Sequence, residues 1–311
     1  MDRPHDVRAQ QHVTPRVVAV VGPTAAGKSD LAVTIARALG GEVVNADSMQ
    51  LYRGMDIGTA KLPAAERQGV PHHLLDVWDV TVTATAAAYQ QLCRTVVNDL
   101  LARGVTPVLV GGSGLYLRAA LDDLQFPGTD PELRASLEAE LAIVGPLALH
   151  TRLAVLDPEA ATRMEPTNGR RVVRALEVVT LTGAMPGRMT SYDVHYATSW
   201  IGLDRDDLPE RIGERVDRMW AQGLVEEVRQ LEGQGLRAGV TASRALGYGQ
   251  VLALLDEAID EVAARTQTAV ATRRFARRQR AWFRRDPRIS WLEPGSDLLG
   301  RALALLPARL I

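Results

Sequence analysis

The segment Gly22–Ser29, with the sequence GPTAAGKS, constrains this chain more than any other feature. It follows an apolar β-branched run, Val17–Val21, and precedes a stretch of helical character, Asp30–Leu39. A strand, a loop of the form G-x-x-x-x-G-K-[ST] and a helix, in that order, are typical of the phosphate-binding P-loop. Glycines let consecutive backbone N–H groups point at one anion, and the helix N-terminus adds partial positive charge. The segment therefore predicts a phosphate site.

Two side chains of this loop have specific roles in such a site. Lys28 is one of two lysines in the chain, the other being Lys61. A compact ammonium on a flexible stem suits a phosphate group in a way that a planar guanidinium does not. The Ser29 hydroxyl is expected to ligate Mg²⁺, which is the predicted cofactor. The predicted phosphate-binding residues are Gly22, Pro23, Thr24, Ala25, Ala26, Gly27, Lys28 and Ser29.

The segments after the loop alternate between strand and helix character. We predict strands over Glu42–Ala46, His72–Asp76 and Val105–Val110, and helices over Ala86–Ala102 and from about Leu115. This alternation predicts an α/β fold in which a P-loop NTPase-like parallel sheet is flanked by helices. Ligands gather at the carboxyl ends of such strands, and the residues that directly follow those ends include Ser29, Asp47 and Ser113.

The pattern changes near Asp122. From Pro131 to Thr182 the sequence has helical periodicity without a strand, and Asp130 and Asn168 are candidate helix N-caps. We therefore expect a disordered tail over 1–15, an α/β core over 16–122 and 198–311, and an all-helical insertion over 123–197. In the second part of the core we predict a strand over Thr198–Leu203, one long helix from Asp207 to about Leu231, a helix over Asp256–Phe283 and a strand over Ile289–Leu292.

Asp47 is the second residue on which a functional prediction rests. We expect it at the tip of the strand next to the P-loop strand, where it faces the phosphates as a general base or an indirect Mg²⁺ ligand. A turn-forming aspartate is the alternative. Ordinary NTPases carry an acidic residue at the end of a second apolar strand. The best such strand, Pro107–Val110, runs instead into Gly111–Gly114, which suggests close approach to a ligand and favours group transfer over hydrolysis. Ser113 is then a phosphate contact or a turn residue.

Arginines crowd the last predicted helix and its exit. Trp282 and Phe283 lie among them, and Asp286 is the one acid between Arg265 and Glu293. A face of one charge sign with aromatic side chains suits an RNA backbone and unstacked bases, and the acids that would balance a merely solvated face are absent from this segment. The arginines are Arg273, Arg274, Arg277, Arg278, Arg280, Arg284, Arg285 and Arg288.

Two smaller groups of arginines are less specific. Arg170, Arg171 and Arg174 lie at the start of an insertion helix and could clamp a second stretch of phosphates. Arg211 and Arg215 lie one helical turn apart, and each either reaches a phosphate or pairs with a neighbouring glutamate.

Composition narrows the class of protein. The net charge of −1 gives no global attraction to nucleic acid or membrane, so any basic surface is local. Cys93 is the only cysteine, which excludes an internal disulfide and a cysteine-based metal site and fits a reducing cytoplasm. We find no uninterrupted apolar run long enough to cross a bilayer. We therefore expect a cytoplasmic monomer without a membrane partner.

Taken together, these segments resemble the tRNA dimethylallyltransferase family, also called tRNA isopentenyltransferases, in its bacterial form. The resemblance extends from Val17 to about Leu292, and the combination of its second and fourth segments is far more specific than the P-loop alone. The segments are GPTAAGKS (22–29), NADSMQLYRGMDIGTAK (45–61), PHHLLD (71–76), VGGSGLYLRA (110–119), RRVVRALEV (170–178), RIGERVDRM (211–219), SRALGYGQ (243–250) and RRQRAWFR (277–284).

The resemblance implies transfer of a dimethylallyl group from its diphosphate to N6 of the adenosine 3′-adjacent to the anticodon, in tRNAs that read codons starting with U. It implies that the P-loop holds the isoprenoid diphosphate, that Asp47 is the general base, and that Ser113 and Arg215 contact the reacting region or the diphosphate. The implied partners are dimethylallyl diphosphate and tRNA, the latter through its anticodon stem-loop. The implied tRNA contacts are Asp47, Ser48, Met49, Gln50, Ser113, Arg134, Arg170, Arg171, Val172, Val173, Arg174, Arg244, Ala245, Leu246, Gly247, Tyr248, Gly249, Arg277, Arg278, Gln279, Arg280, Ala281, Trp282, Phe283 and Arg284.

Two positions depart from the family pattern. Ser113 stands where the family usually has threonine, and the hydroxyl is retained. Gly249 stands where many members have arginine or lysine, so one phosphate contact is missing. Three other functions fit parts of the sequence: a P-loop kinase of a small metabolite, an RNA-binding module whose bound nucleotide switches its conformation, and a prenyltransferase acting on free adenine nucleotides. The insertion and the arginine-rich helix favour tRNA.

Overall fold

The structure, a computed structural model, describes residues 16–186 and 192–310, so the tail predicted over 1–15 lies outside the described residues. The strands are β1 Val17–Val21, β2 Glu42–Asn45, β3 His72–His73, β4 Pro107–Gly111, β5 Thr198–Leu203 and β6 Ile289–Leu292. They pair in parallel as one sheet in the order β3-β2-β4-β1-β5-β6. This arrangement confirms the predicted α/β fold with a parallel sheet.

The helices agree with the prediction except near the C-terminal third. One helix predicted from Asp207 to Leu231 is in fact two, because Gly223 adopts a left-handed conformation (φ 99°) between them. The last long helix begins at Glu261, where Asp260 caps it, rather than at Asp256. The helices are α1 Lys28–Leu39, α2 Ala86–Ala102, α3 Gly114–Leu121, α4 Pro131–Leu156, α5 Pro158–Thr162, α6 Gly169–Thr182, α7 Leu208–Ala221, α8 Leu224–Gly233, α9 Tyr248–Leu255, α10 Glu261–Phe283 and α11 Leu298–Leu303.

The sheet is covered on both faces, which explains why its central strands are apolar at every position. In β1, Val17, Ala19 and Val21 pack into the core cluster that includes side chains of α2 and α3. The alternate residues Val18 and Val20 pack into the opposite cluster with α1. Successive side chains of a strand point to opposite faces, so a strand buried on both faces reads as a continuous apolar run.

The order of the strands corrects one prediction about Asp47. Strand β4 lies between β1 and β2, so the strand that precedes Asp47 is not the neighbour of the P-loop strand. Consecutive strands are usually neighbours, but here the chain returns through α2 and inserts β4 between them. A Cβ atom at Gly111 would lie 2.3 Å from the carbonyl oxygen of Ala46, so the ends of β2 and β4 approach closely because this position is glycine.

Residues Asp123–Asp193 form a second compact unit, whereas the insertion was expected to extend to residue 197. Its core contains Leu137 and Leu153 of α4 and Leu176 of α6. The side chain of Asp130 accepts hydrogen bonds from the N–H groups of Glu132 and Leu133 at the start of α4, and that of Asn168 caps α6. The predicted N-caps are therefore confirmed.

Helix α4 has, by length and composition alone, the character of a membrane-spanning helix, with a mean hydropathy of 1.4 over its most apolar window. From the sequence we had expected no apolar run long enough to cross a bilayer. The backbone leaves helical geometry at Gly145 (φ 76°, ψ 170°), and Pro146 follows. Leu149 and Leu153 are buried in the core of the helical unit. Only 11% of the apolar window is buried, and Ile143, Leu147 and Val155 of the same helix are exposed, so α4 packs against that core along one side only.

A buried carboxylate holds the helical unit together. Glu177 of α6 has no exposed surface, and both Arg134 and Arg174 donate to its Oε2 atom at 2.7 Å. The N–H of Asp130 donates to Oε1 at 3.0 Å. Arg174 also donates to the carbonyl oxygens of residues 127 and 128. Two arginines that the resemblance implies as tRNA contacts therefore have structural partners.

We predict that Glu177→Gln lowers the free energy of opening of α6 by about 1–3 kcal/mol. Removing one partner of a fully buried ion pair costs more stability than this. Here the loss is smaller because both arginines are partly solvated and recover some hydration. Hydrogen–deuterium exchange of the α6 amides measures the effect. The control is Glu159→Gln, which removes an exposed pair with Arg163 and should change exchange by less than about 0.5 kcal/mol. Equal exchange in the two variants would contradict a structural role for Glu177.

Candidate functional site

The loop after β1 curls around the N-terminus of α1 as the motif predicts. Gly22 (φ 140°), Ala25 (φ 64°) and Gly27 (φ 97°) have positive φ angles. A Cβ atom at Gly22 would lie 2.2 Å from the carbonyl oxygen of Leu203 in β5, so a larger residue does not fit. The Lys28 ammonium donates to the carbonyl oxygen of Pro23 at 2.6 Å, which keeps it at the loop.

Two cavities of the α/β unit adjoin this loop. The aspartate cavity, of about 310 Å³, is lined by Thr24, Asp47 and Ser113 and by an apolar wall from α7 and α10. The loop cavity, of about 550 Å³, is lined by residues of the P-loop and by arginines of α7. The lining of the loop cavity includes Gly27, Lys28, Ser29, Arg211, Arg215 and Arg218, together with the carboxylates of Asp30, Asp56 and Glu66.

Arg215 forms part of the boundary between the two cavities and lines both. Its guanidinium donates to the hydroxyl of Thr24 at 3.3 Å and to the carbonyl oxygen of Thr59 at 3.5 Å, both long contacts. Arg211 donates to the carbonyl oxygen of Ala25 at 3.0 Å. Of the two alternatives that the sequence left open for these arginines, the structure therefore favours the P-loop over the neighbouring glutamates.

Arg218 lines the same cavity and was missed in the sequence. It follows Arg211 and Arg215 at a spacing of four and then three residues, which places all three on one face of a helix. That spacing was a usable signal, but Asp217 and Glu214 lie between the arginines in sequence and suggest a solvated helix instead.

Asp47 lies in the aspartate cavity and also forms a local turn, so the two alternatives for this residue are compatible. Its Oδ1 atom accepts a hydrogen bond from the N–H of Met49 at 2.9 Å. The buried side chain of Asn45 accepts from the N–H of Asp47 and donates to its carbonyl oxygen. The Tyr89 hydroxyl donates to the carbonyl oxygen of Asn45 at 2.9 Å. The carboxylate is thus held at a defined position beside the cavity.

Ser113 also lines the aspartate cavity, and its hydroxyl accepts a long hydrogen bond of 3.4 Å from the N–H of Ser48. The glycines around it have a different purpose from the one predicted. A Cβ atom at Gly112 would lie 2.1 Å from Nε2 of Gln279, and one at Gly114 would lie 2.1 Å from Nε1 of Trp282. These two glycines therefore admit side chains of α10 rather than a ligand.

The side chain of Gln279 connects the P-loop to the loop that follows β4. Its Oε1 atom accepts from the N–H of Thr24, and its Nε2 atom donates to the carbonyl oxygen of Gly112, both at 2.9 Å. The side chain is buried, so it is unavailable to RNA, contrary to the implied tRNA contact. Phe283 is likewise buried in the sheet core. Val172 and Val173 are buried in the core of the helical unit, whereas Ala245 and Tyr248 are buried but line the aspartate cavity.

The arginine-rich helix is partly balanced by acids from other elements, which corrects the premise that such acids are absent. Arg280 and Arg284 pair with Asp204 at 2.8 and 3.0 Å. Asp204 directly follows β5, where an ordinary NTPase acid could stand, but it is buried under these arginines. Arg277 and Arg278 are exposed on the same helix. The available cationic surface of α10 is therefore smaller than the sequence suggests.

The exposed arginines nearest the reaction site come from two elements. Arg244 and Arg278 are exposed and line the aspartate cavity. Met49 and Leu246, two residues for which the resemblance implies tRNA contacts, line this cavity as well. Arg170 and Arg171, which are also exposed and implied as tRNA contacts, lie in the helical unit.

Residues of the segment 56–61 line the two cavities, and two charged side chains hold this segment in place. The N–H groups of Asp56, Ile57 and Gly58 donate to the carboxylate of Glu227, with distances of 2.7–3.2 Å. Lys61 is buried and pairs with Asp56 and with the carboxylate of Asp76. The sequence offered no signal for Glu227, because the backbone donors it binds lie about 170 residues away.

The surroundings of the loop cavity lower the pKa of its lysine, Lys28. The pKa of Lys28 is lowered to about 8, chiefly by burial and in part by the nearby Arg215 guanidinium, while the Asp47 carboxylate opposes the shift. Burial also lowers the pKa of Arg215. The five cationic side chains that line this cavity outnumber its three carboxylates, so a bound anion would be stabilised there by the excess positive charge.

A family model described as IPP transferase matches residues 50–286. The chain is 65% identical over 286 residues to the tRNA dimethylallyltransferase of Streptomyces coelicolor, covering 90% of this chain and 91% of the relative. It is 66% identical over 278 residues to the tRNA dimethylallyltransferase of a Parafrankia species, covering 89% and 87%.

Solved structures give the same result. The crystal structure of a tRNA isopentenylpyrophosphate transferase from Bacillus halodurans is similar with a TM-score of 0.68 and 38% identity, covering 93% of this chain and 96% of that one. A eukaryotic dimethylallyltransferase captured acting on tRNA is similar with a TM-score of 0.79 and 26% identity, covering 93% and 77%.

We predict that the affinity of the loop cavity for inorganic pyrophosphate falls by about tenfold between pH 7 and pH 9 because of Lys28. The ammonium form binds the anion, and its population falls as the pH rises through the pKa of about 8. Isothermal titration calorimetry measures the dissociation constant. Lys28→Arg is the control, since a guanidinium stays charged over this range and only the titration of pyrophosphate itself remains. Parallel pH profiles for the two proteins would contradict the prediction.

Proposed function

The chain belongs to the IPP transferase family, and on that premise we propose that it transfers a dimethylallyl group from dimethylallyl diphosphate to tRNA. The acceptor is N6 of the adenosine 3′-adjacent to the anticodon, in tRNAs that read codons starting with U. The observation that carries the proposal is that Asp47 and Ser113 line a cavity that shares Arg215 with the P-loop cavity. The candidate base for the acceptor therefore lies next to the cations that would stabilise the leaving group.

The loop cavity suits the diphosphate end of the donor. As the bond between the allylic carbon and its oxygen breaks, the electron pair leaves with the diphosphate, whose negative charge grows. The backbone N–H groups of the P-loop, Lys28 and Arg215 are placed to stabilise that charge, and Arg211 and Arg218 line the same cavity. Positive charge that develops on the allylic carbon is delocalised, so ionisation can run ahead of attack.

The residues present also fit a magnesium ion. Ser29 lines the loop cavity, and no cluster of three or more histidine, cysteine or acidic residues occurs in the described parts of the chain. Mg²⁺ commonly takes one or two protein ligands together with substrate phosphates and water, so a single hydroxyl suffices. Ser29 would hold the ion against the diphosphate. When bound, the ion supplies further neutralisation of the leaving group.

The aspartate cavity suits the adenine. Its exocyclic N6 is a poor nucleophile and barely basic, so Asp47 need not deprotonate it in advance. Asp47 accepts the N6 proton while the bond between nitrogen and carbon forms, a role typically worth about 10²–10⁴-fold. The base must leave its stack to enter, at a cost of a few kcal/mol. Apolar side chains of α7 and α10, such as Val216 and Phe275, line the same cavity.

The exposed arginines provide contacts that offset the cost of extruding the base. Arg244 and Arg278 stand at the aspartate cavity, and Arg277 is exposed on α10. Arg170 and Arg171 of the helical unit are exposed as well, and they suit the anticodon stem.

We propose that the enzyme acts in the cytoplasm as a monomer.

The direct test is incubation with dimethylallyl diphosphate, Mg²⁺ and unmodified tRNA, followed by mass analysis of the nucleosides. We expect N6-dimethylallyladenosine. Parallel reactions with adenosine monophosphate as acceptor, and with ATP labelled in its γ-phosphate, separate transfer to free nucleotides and kinase activity from the proposed reaction. Tight tRNA binding without product would favour a non-enzymatic RNA-binding protein.

We predict that Asp47→Asn lowers the single-turnover rate by about 10²–10⁴-fold, because the amide cannot accept the N6 proton. Asparagine is isosteric and can still accept from the N–H of Met49, so tRNA affinity should stay within about threefold. Rapid-quench kinetics and filter binding measure the two quantities. Turnover within a few fold of the wild-type rate would exclude Asp47 as the base.

We also predict that Arg278→Ala weakens tRNA binding and reduces the slope of log K against log salt concentration by about 0.7–0.9, the loss of one phosphate contact. Arg229→Ala is the control, since that exposed arginine pairs with Glu226 on α8 and lines neither cavity. An unchanged slope in Arg278→Ala would remove this arginine from the phosphate contacts.

A further inference from the structure

One polar and one apolar side chain lie at the boundary between the two cavities. Among the described residues that line the cavities, Arg215 and Met219 line both. They lie one turn apart on α7, so they stand next to each other on one face of that helix. The place where the cavities meet is therefore formed by a guanidinium and a thioether side by side.

The proposed chemistry places the prenyl group at this boundary. Its diphosphate lies with Lys28 and Ser29 in the loop cavity, and the nitrogen that attacks it lies with Asp47 in the aspartate cavity. The reacting carbon is bonded to the diphosphate and must approach the nitrogen, so it lies between the two. The residues that line both cavities then contact the five-carbon group.

Met219 is suited to that contact. Its side chain is 9% exposed and packs in an apolar cluster with Val216, Trp220 and Leu224. Arg215 offers charge to the diphosphate, whereas the methionine offers a polarisable apolar surface to a branched alkene. The same helix continues that surface with Ile212 along the aspartate cavity.

We propose that Met219 determines the length of the prenyl group that the enzyme accepts, by closing the space next to the allylic carbon. The proposal deepens the proposed function and rests on it. A longer prenyl diphosphate carries the same anionic head, so the P-loop cannot reject it. Rejection must come from an apolar wall near the reacting carbon, and one extra methylene in such a pocket is worth about 10–200-fold in selectivity.

The test is a competition for tRNA between dimethylallyl diphosphate and 3-methylpent-2-enyl diphosphate, which has one more methylene, in one reaction mixture. Met219→Ala should raise the ratio of the longer to the shorter product by about tenfold or more over the wild-type ratio. Met219→Val frees less space and destabilises the fold less, so it should give a smaller increase in this product ratio. The ratio of products formed by one enzyme does not depend on the fraction of molecules that are folded.

Met55→Ala is the matched control. Met55 is fully buried in the same apolar cluster but lines neither cavity, so its truncation destabilises the same core without widening the boundary. We expect its product ratio to equal that of the wild type. An increase in Met55→Ala as large as in Met219→Ala would assign the effect to loosened packing and overturn the proposal.

Failure of this inference and failure of the proposed function give different results. If the wild-type enzyme forms no prenylated nucleoside from dimethylallyl diphosphate, the proposed function is wrong. If the wild-type enzyme forms it and both Met219 variants keep the wild-type product ratio, the function stands and Met219 does not determine prenyl length.

Discussion

The two hydrogen bonds of Gln279 are the constraint on which the site depends. They join the N–H of Thr24 in the P-loop to the carbonyl oxygen of Gly112 after β4, across strands that would otherwise end in independent loops. An amide can accept from one side and donate to the other, which neither a carboxylate nor an ammonium can do. Because the amide is buried, both bonds form where unmade bonds would be costly. Helix α10 thereby sets the distance between the phosphate site and Ser113.

The arrangement of charge follows from the same helix and its neighbour. Helix α7 directs Arg211 and Arg215 at the P-loop, where burial lowers the pKa of Arg215 and of Lys28. Helix α10 directs Arg280 and Arg284 at Asp204 instead, which neutralises the acid beside the P-loop. The lining of the loop cavity has five cationic side chains and three carboxylates, so it keeps an excess of positive charge. That excess suits a reaction in which a diphosphate leaves with the electron pair of the broken bond while its organic group passes to an acceptor.

Local features of the site could be predicted from the sequence, whereas its long-range partners could not. The P-loop, the caps at Asp130 and Asn168 and the parallel sheet follow from short motifs and periodicity. The position of β4 between β1 and β2 depends on the packing of a crossover helix, which no local pattern encodes. The pairing of Asp204 with the arginines of α10 spans 76 residues or more and contradicts the appearance of an unbalanced basic face. Side chains such as Gln279 look like exposed polar residues until the fold buries them.

Helix α7 shows how one amphipathic element can order a two-substrate reaction. Its arginines and its apolar residues each recur at helical spacing, and the two stripes meet at Arg215 and Met219. The arginine stripe lines the loop cavity, and the apolar stripe lines the cavity that contains Asp47. A prenyl diphosphate has the same polarity along its length, a charged head and an apolar tail joined at the reacting carbon. In the proposed reaction, alignment of this substrate with the boundary of the two stripes would place the reacting carbon opposite Asp47, whereas misaligned binding would bury charge against apolar side chains.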